Sequence, residues 1–138
     1  MDIEELERIV KSLNIDKESK ERVLKSSAFK KLPNYLVSSE KIYYIGGVSL
    51  PDESMNAMFF SDVLLVITDL RFFVANKKPF GVQFKEFLYN KIESIGCNNY
   101  STKIIKVKTL KDTTSIGLRN SDEKIVKELL YKGIAGKL

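Results

Sequence analysis

With 138 residues, 43% of them hydrophobic and 30% charged, the chain is long and apolar enough to bury one sizeable core, and its single cysteine, Cys97, excludes an intramolecular disulfide. The absence of histidine removes the commonest general base and, with only one thiol, any zinc-type cluster. The net charge of +5 arises beyond residue 40, because residues 1–40 balance 8 basic against 8 acidic side chains and residues 41–138 hold 15 against 10. Such an excess favours anionic partners, although a solvated lysine-rich surface has the same composition.

The first residues, Met1-Asp2-Ile3-Glu4-Glu5, are acidic where a secretory signal would be basic, which predicts a cytoplasmic protein. Ile3, Leu6, Val10 and Leu13 recur at three- and four-residue spacing and predict a helix over 2–13, with Glu4, Glu5 and Glu7 early in it, where the helix dipole favours anions. Asn14-Ile15-Asp16 breaks the pattern, and Asp16 is a good N-cap for a second helix of about ten residues. Phe29, Leu32, Tyr35 and Leu36 form a third short apolar face around Pro33. From Lys41 the period changes. Ile42 to Ile45 reads as a first strand ended by Gly46-Gly47, and a long connection follows through Pro51, Asp52, Glu53, Met55, Met58, Phe59 and Phe60.

Residues 62–78 are the stretch around which the rest is arranged. Two runs rich in β-branched and aromatic residues, 63–67 and 72–75, flank a turn at Asp69-Leu70. Successive strand side chains point to opposite faces, so the unbroken run Leu64-Leu65-Val66-Ile67 is apolar on both and needs cover on both. Asp62, Asp69 and Arg71 interrupt this neighbourhood, so no membrane-spanning helix is expected. Pro79 cannot donate to a ladder and closes the hairpin. A fourth strand follows over 82–89 and a fifth over 91–97. Asn98-Asn99 is a turn signal. A final hairpin pairs 103–110 with 113–118 across Lys111-Asp112. Asn120, with Glu123 three residues on, reads as the capping box of a last helix. Ile125, Val126, Leu129 and Leu130 are its stripe, Gly133 marks its end and Gly136 loosens the tail.

From Leu32 onward the chain resembles the bacterial pleckstrin-homology-like domains, in particular the YokE-like group. The resemblance is carried by Leu32-Pro33-Asn34-Tyr35-Leu36 with Ser39-Glu40-Lys41, by Ile67-Thr68-Asp69-Leu70-Arg71-Phe72-Phe73-Val74, and by Tyr89-Asn90-Lys91-Ile92-Glu93-Ser94-Ile95 before the terminal helix. It divides the chain into an N-terminal helical extension, 1–31, and a domain, 32–138. It implies a mainly β, α+β fold: a bent, half-open antiparallel barrel of about seven strands, its mouth plugged by Ile125 and Leu129 of the final helix. The turn at 68–71 would set the hairpin register. These motifs specify fold rather than activity.

No catalytic constellation is present. Asp52-Glu53 reads as an exposed turn, Gly46-Gly47 lacks the company of a phosphate loop, and Cys97 reads as a small buried hydrophobe. The chain is therefore expected to be non-enzymatic, without cofactor or metal.

Three features bear on binding. Met55, Met58, Phe59, Phe60 and Phe73 either fill the core or form an outer wall against a protein partner or another copy, and the resemblance implies self-association. Lys106, Lys108 and Lys111 form either a solvated, edge-guarding face or a weak anionic-lipid surface. Eukaryotic pleckstrin-homology domains that grip phosphoinositides place Lys and Arg in the loop after the first strand. Residues 46–61 here contain neither, which argues against inositol-phosphate binding. Exposed aromatics interleaved with basic residues are lacking, so nucleic acid is not expected. The sequence thus predicts a protein-contact module that self-associates, with a peripheral module for anionic membranes as the alternative.

Overall fold

The computed structural model describes residues 1–52, 63–97 and 103–138. Three short helices come first: α1 (Ile3–Ser12), α2 (Lys17–Lys25) and α3 (Leu32–Tyr35), the last preceded by a 3₁₀ turn, Phe29–Lys31. Asp2 and Asp16 cap α1 and α2, their carboxylates accepting from Glu5 N at 2.8 Å and Ser19 N at 2.6 Å. Leu6, Val10 and Val23 are their buried residues on the apolar spacing of the sequence, joined by the small hydroxyl of Ser19.

Seven strands follow. Strands β1 (Ile42–Gly47), β2 (Val63–Thr68), β3 (Arg71–Lys78) and β4 (Gly81–Leu88) form one antiparallel sheet in sequential order. Strands β5 (Ile92–Cys97), β6 (Ile104–Thr109) and β7 (Thr113–Gly117) form a second. The fourth and fifth strands do not pair, because a 3₁₀ turn, Tyr89–Lys91, carries the chain from one sheet to the other. On the opposite side the sheets meet at Ser49 and Gly117, which exchange backbone hydrogen bonds of 3.0 and 2.9 Å. A Cβ on Gly117 would lie 2.1 Å from Ser49 Oγ, so a side chain there would turn the Ser49 hydroxyl away. The barrel is therefore closed at one corner and open along the β4–β5 seam.

The central hairpin lies where the sequence places it, with Ile67 opposite Phe72 and Val63 opposite Asn76. Thr68 fixes the turn: its hydroxyl accepts from Leu70 N at 3.1 Å and Arg71 N at 3.2 Å. All six β2 residues are buried. Leu65, Ile67, Phe72 and Val74 face an inner core completed by the second sheet and the C-terminal helix. Leu64, Val66, Phe73 and Ala75 face an outer core formed with Leu6, Val10, Val23, Phe29 and Leu32. The cover required on both faces of the ribbon is supplied within one chain.

The C-terminal helix, α4 (Glu123–Ile134), departs from expectation at three points. It starts after Asp122 rather than Asn120, and no side chain caps it. The Asp122 carboxylate is instead engaged by Tyr44 Oη, which donates to it at 2.7 Å from β1. Val126 and Leu130 are its fully buried residues, and Ile125 and Leu129 flank them. Gly133 lies inside the helix, where a Cβ would come within 2.3 Å of the Tyr89 ring. The end falls to Gly136, at φ 72°, where Lys137 N bonds Lys132 O and Gly136 N bonds Gly133 O in a Schellman motif.

Candidate interaction site

Two constellations stand out, one buried and one open. The buried one lies where α3 meets the β2–β3 turn. Arg71 clasps Glu40 in a fork, Nε to Oε2 at 2.9 Å and Nη2 to Oε1 at 3.1 Å, while Nη1 binds Glu86 and Nη2 also donates to Tyr35 O at 3.0 Å. Its guanidinium stands 4.4 Å from the Tyr35 ring centroid and 5.0 Å from that of Phe73. Thr68 Oγ1 donates to Glu40 at 2.7 Å, and Tyr89 Oη donates to Thr68 O at 2.7 Å. Burial alone would raise the Glu40 carboxyl. The hydrogen bonds from Arg71, Thr68 and Val37 N outweigh it and hold the group below its ordinary value. Hydrogen bonding to the Glu40 carboxylate in turn pushes Arg71 up. With four hydrogen bonds from the guanidinium tying Glu40, Glu86 and Tyr35 together, this network is a latch between the N-terminal layer and the barrel. Glu40, Thr68, Arg71 and Tyr89, four residues that carried the sequence resemblance, are its parts.

The open constellation is the seam. Along its first half Lys85 crosses from β4, its Nζ donating to Asp112 Oδ2 at 2.9 Å and Thr114 Oγ1 at 2.7 Å. Beyond Lys85 the sheets part into a cleft of about 650 Å³ walled by the end of β4, the Tyr89–Lys91 turn, the start of β5 and the β6–β7 turn. Leu88 is 40% exposed and Leu110 88% exposed at its rim, with Ile92 half-buried between them. Lys91 and Lys111 stand on the same walls. Among the described residues the outer edge of β4 pairs with no strand, and across the cleft from it lie the start of β5, the end of β6 and the β6–β7 turn. The Tyr89–Lys91 turn is anchored by Tyr89, held by Thr68 and seated against Gly133. Strand edges with free backbone groups beside exposed aliphatics are receptive to another chain.

Of the residues expected to form a wall, Met55, Met58, Phe59 and Phe60 lie outside the described residues. Phe73 is not on a surface: it is 0% exposed in the outer core, with Tyr35 edge-on to it at 4.8 Å, because residues 1–36 cover that face. Lys106 and Lys108 project from β6, and Lys111 sits in the turn that roofs the cleft; all three are exposed. Lys108 lies 3.8 Å from Glu93, so these cations do not converge as one free patch. Cys97 is exposed rather than buried. Sequence reasoning missed Leu88, Leu110 and the seam, because which strand edges stay unpaired is a property of topology. It also passed over Phe80, wholly exposed at the tip of the β3–β4 hairpin between Pro79 and Gly81. Among the described residues, no group of three or more acidic or thiol side chains is placed to hold a metal, and no helix is long and apolar enough to cross a membrane.

No protein-family model and no curated protein matches this sequence. Solved structures do. The linker-DH/PH fragment of p115-RhoGEF superposes over 96% of this chain with a TM-score of 0.59 at 11% identity. The DH/PH fragment of PDZ-RhoGEF, solved in complex with human RhoA, superposes over 80% with a TM-score of 0.58 at 10% identity. This chain spans only 39% and 33% of those two chains. The N-terminal PH domain of human ARAP2 superposes over 74% of this chain and 86% of its own length, with a TM-score of 0.50 at 13% identity. Together with the strand order and the terminal helix, these likenesses show that the fold is pleckstrin-homology-like.

Proposed function

We propose that this pleckstrin-homology-like chain is a non-catalytic module that binds a protein partner, and that the contact is made at the β4–β5 seam. The observation that carries the reading is the cleft itself, where the outer edge of β4, unpaired among the described residues, borders a hollow of about 650 Å³ rimmed by exposed Leu88 and Leu110. Of the structures it is similar to, the PDZ-RhoGEF fragment is seen bound to RhoA, which fits a protein-binding role for the fold without naming a partner here. Self-association belongs to this reading at the seam rather than at the ribbon, whose two faces are already covered. A second copy brings the same unpaired edge. Photo-crosslinking amino acids placed at Leu88 and Leu110 should give discrete protein adducts, whereas the same group at exposed Lys17 should give none; equal labelling at all three would overturn the proposal. Light scattering at tens of micromolar reports whether the partner is another copy.

A second reading, a peripheral module for anionic membranes, is supported by the β3–β4 tip. There an exposed Phe80 follows Lys77, Lys78 and Pro79, a pairing of an interfacial aromatic with cations. Together with the excess charge on residues 41–138, which includes Lys106, Lys108 and Lys111, this predicts salt-sensitive pelleting with anionic but not neutral vesicles. Phe80→Ser should weaken it, and a lack of lipid-dependent pelleting removes the reading.

A further inference from the structure

The side chains around the seam also indicate what chemistry the cleft accepts, an inference that rests on the cleft being the contact site. Two carboxylates line the cleft with Lys91 and Lys111: Glu86, which binds Arg71, and Glu93, part-exposed and 3.8 Å from Lys108; Asp112 in the roof binds Lys85 at 2.9 Å. Lys91 and Lys111 have no carboxylate partner within ion-pair distance among the described residues. The cleft therefore presents two lysines outside any ion pair among the described residues, around the aliphatic surface of Leu88, Ile92 and Leu110. One border is the outer edge of β4, whose N–H and C=O groups, unpaired among the described residues, are satisfied by an extended chain and not by a helix. The length of the cleft is limited, because Lys85 bridges the seam at one end and the Tyr89–Lys91 turn closes the other. Phe87 is only 2% exposed, so no aromatic platform is open for stacking a nucleic-acid base.

We infer that the seam cleft binds a short, extended, acidic segment of a partner protein, seating an aliphatic side chain between Leu88 and Leu110 and carboxylates against Lys91 and Lys111.

The test is fluorescence anisotropy on the full chain with a labelled peptide of about ten residues alternating leucine or valine with glutamate, and a counterpart carrying lysine for every glutamate. The acidic peptide should bind saturably and at least about ten-fold more tightly than the counterpart, and should weaken as salt rises past the point where surface charges are screened. The double variant Lys91→Glu/Lys111→Glu should lose at least about ten-fold and reverse the preference, the mark of direct charge complementarity. Leu110→Asp should weaken the acidic peptide without altering the melting temperature. Equal binding of the two peptides, no saturable binding of the acidic one up to millimolar concentration, or unchanged affinity in the double variant would overturn the inference. Adducts at Leu110 with no binding of the acidic peptide would sink the acidic ligand while leaving the cleft as the contact site. Absence of both would remove the two together. Self-assembly abolished by Leu110→Asp but not competed by the acidic peptide would replace the acidic segment with a second copy.

Discussion

Arg71 lies under the N-terminal layer with 8% of its surface exposed, and taking a charge out of water costs several kcal/mol unless it is paired and hydrogen-bonded. Glu40 supplies both, so Glu40→Gln should cost about 3 kcal/mol at neutral pH, at the low end for breaking a buried pair because Glu86 still binds the guanidinium. The pH dependence has a definite sign. A carboxyl whose folded pKa is depressed adds stability that is complete above its unfolded value and is lost as pH falls through the folded one. The protein should therefore weaken below about pH 4.5, and Glu40→Gln should weaken less steeply there, which thermal melts between neutral pH and pH 3 will compare. Asp16, lowered by the backbone hydrogen bond of Ser19, and Asp112, lowered by its hydrogen bond from Lys85, keep the variant from being flat, so the difference in slope is the quantity to read. Gly133 sets two effects against each other. In an exposed helix, Gly→Ala stabilises by up to about 1 kcal/mol. Here the new Cβ would meet the Tyr89 ring, displacing it from Thr68 O, so Gly133→Ala should lower the melting temperature. An unchanged or higher value would mean that Tyr89 moves aside without loss.

Leu64 and Leu65 are neighbours in β2 that point to opposite cores, at 1% and 0% exposure. If the outer layer is packed as tightly as the barrel, Leu64→Ala and Leu65→Ala should each cost about 2–5 kcal/mol in urea denaturation. A loss well under 1 kcal/mol for Leu64→Ala alone would mean that the helices rest loosely on the sheet. This two-sided strand was legible in the sequence because an apolar run without alternation has one physical meaning, cover on both faces. The cap at Asp16 and the turn at Thr68 follow local rules as well, and each acts within three residues in the chain, as does the cap at Asp2, which the helix predicted over 2–13 includes as its first residue. The start of α4 could not be read the same way. Asp122 serves Tyr44, 78 residues away, and that bond requires Gly46, whose Cβ would fall 2.0 Å from the Tyr44 hydroxyl. The seam was hidden for a similar reason: nothing in the residues of β4 and β5 says that they belong to different sheets, and the 3₁₀ turn at Tyr89–Lys91 that carries the chain between the sheets is only three residues long.

At the scale of the whole molecule, the sequence resemblance divides 1–31 from 32–138, but the packing runs across that boundary. The 3₁₀ turn Phe29–Lys31 leads directly into α3 (Leu32–Tyr35), and both Phe29 and Leu32 lie in the outer core with Leu64, Val66 and Phe73. The two cores share one sheet, since alternate residues of β2 and β3 belong to each. Loosening the outer core would strip cover from the strands that form the floor of the inner one. The N-terminal layer is tied down at a second point too, where Arg119 Nη1 donates to Ser19 Oγ at 2.8 Å. We therefore expect the layer and the barrel to unfold together. Leu6→Ala, in α1, and Leu130→Ala, in α4, remove side chains from different cores, and each should cost about 2–5 kcal/mol. Both should move one and the same calorimetric transition to lower temperature, with calorimetric and van't Hoff enthalpies in agreement. If instead Leu6→Ala splits off an early transition while the remainder melts where it did before, residues 1–31 form an independent layer. The latch at Arg71 would then join two folding units instead of holding one together.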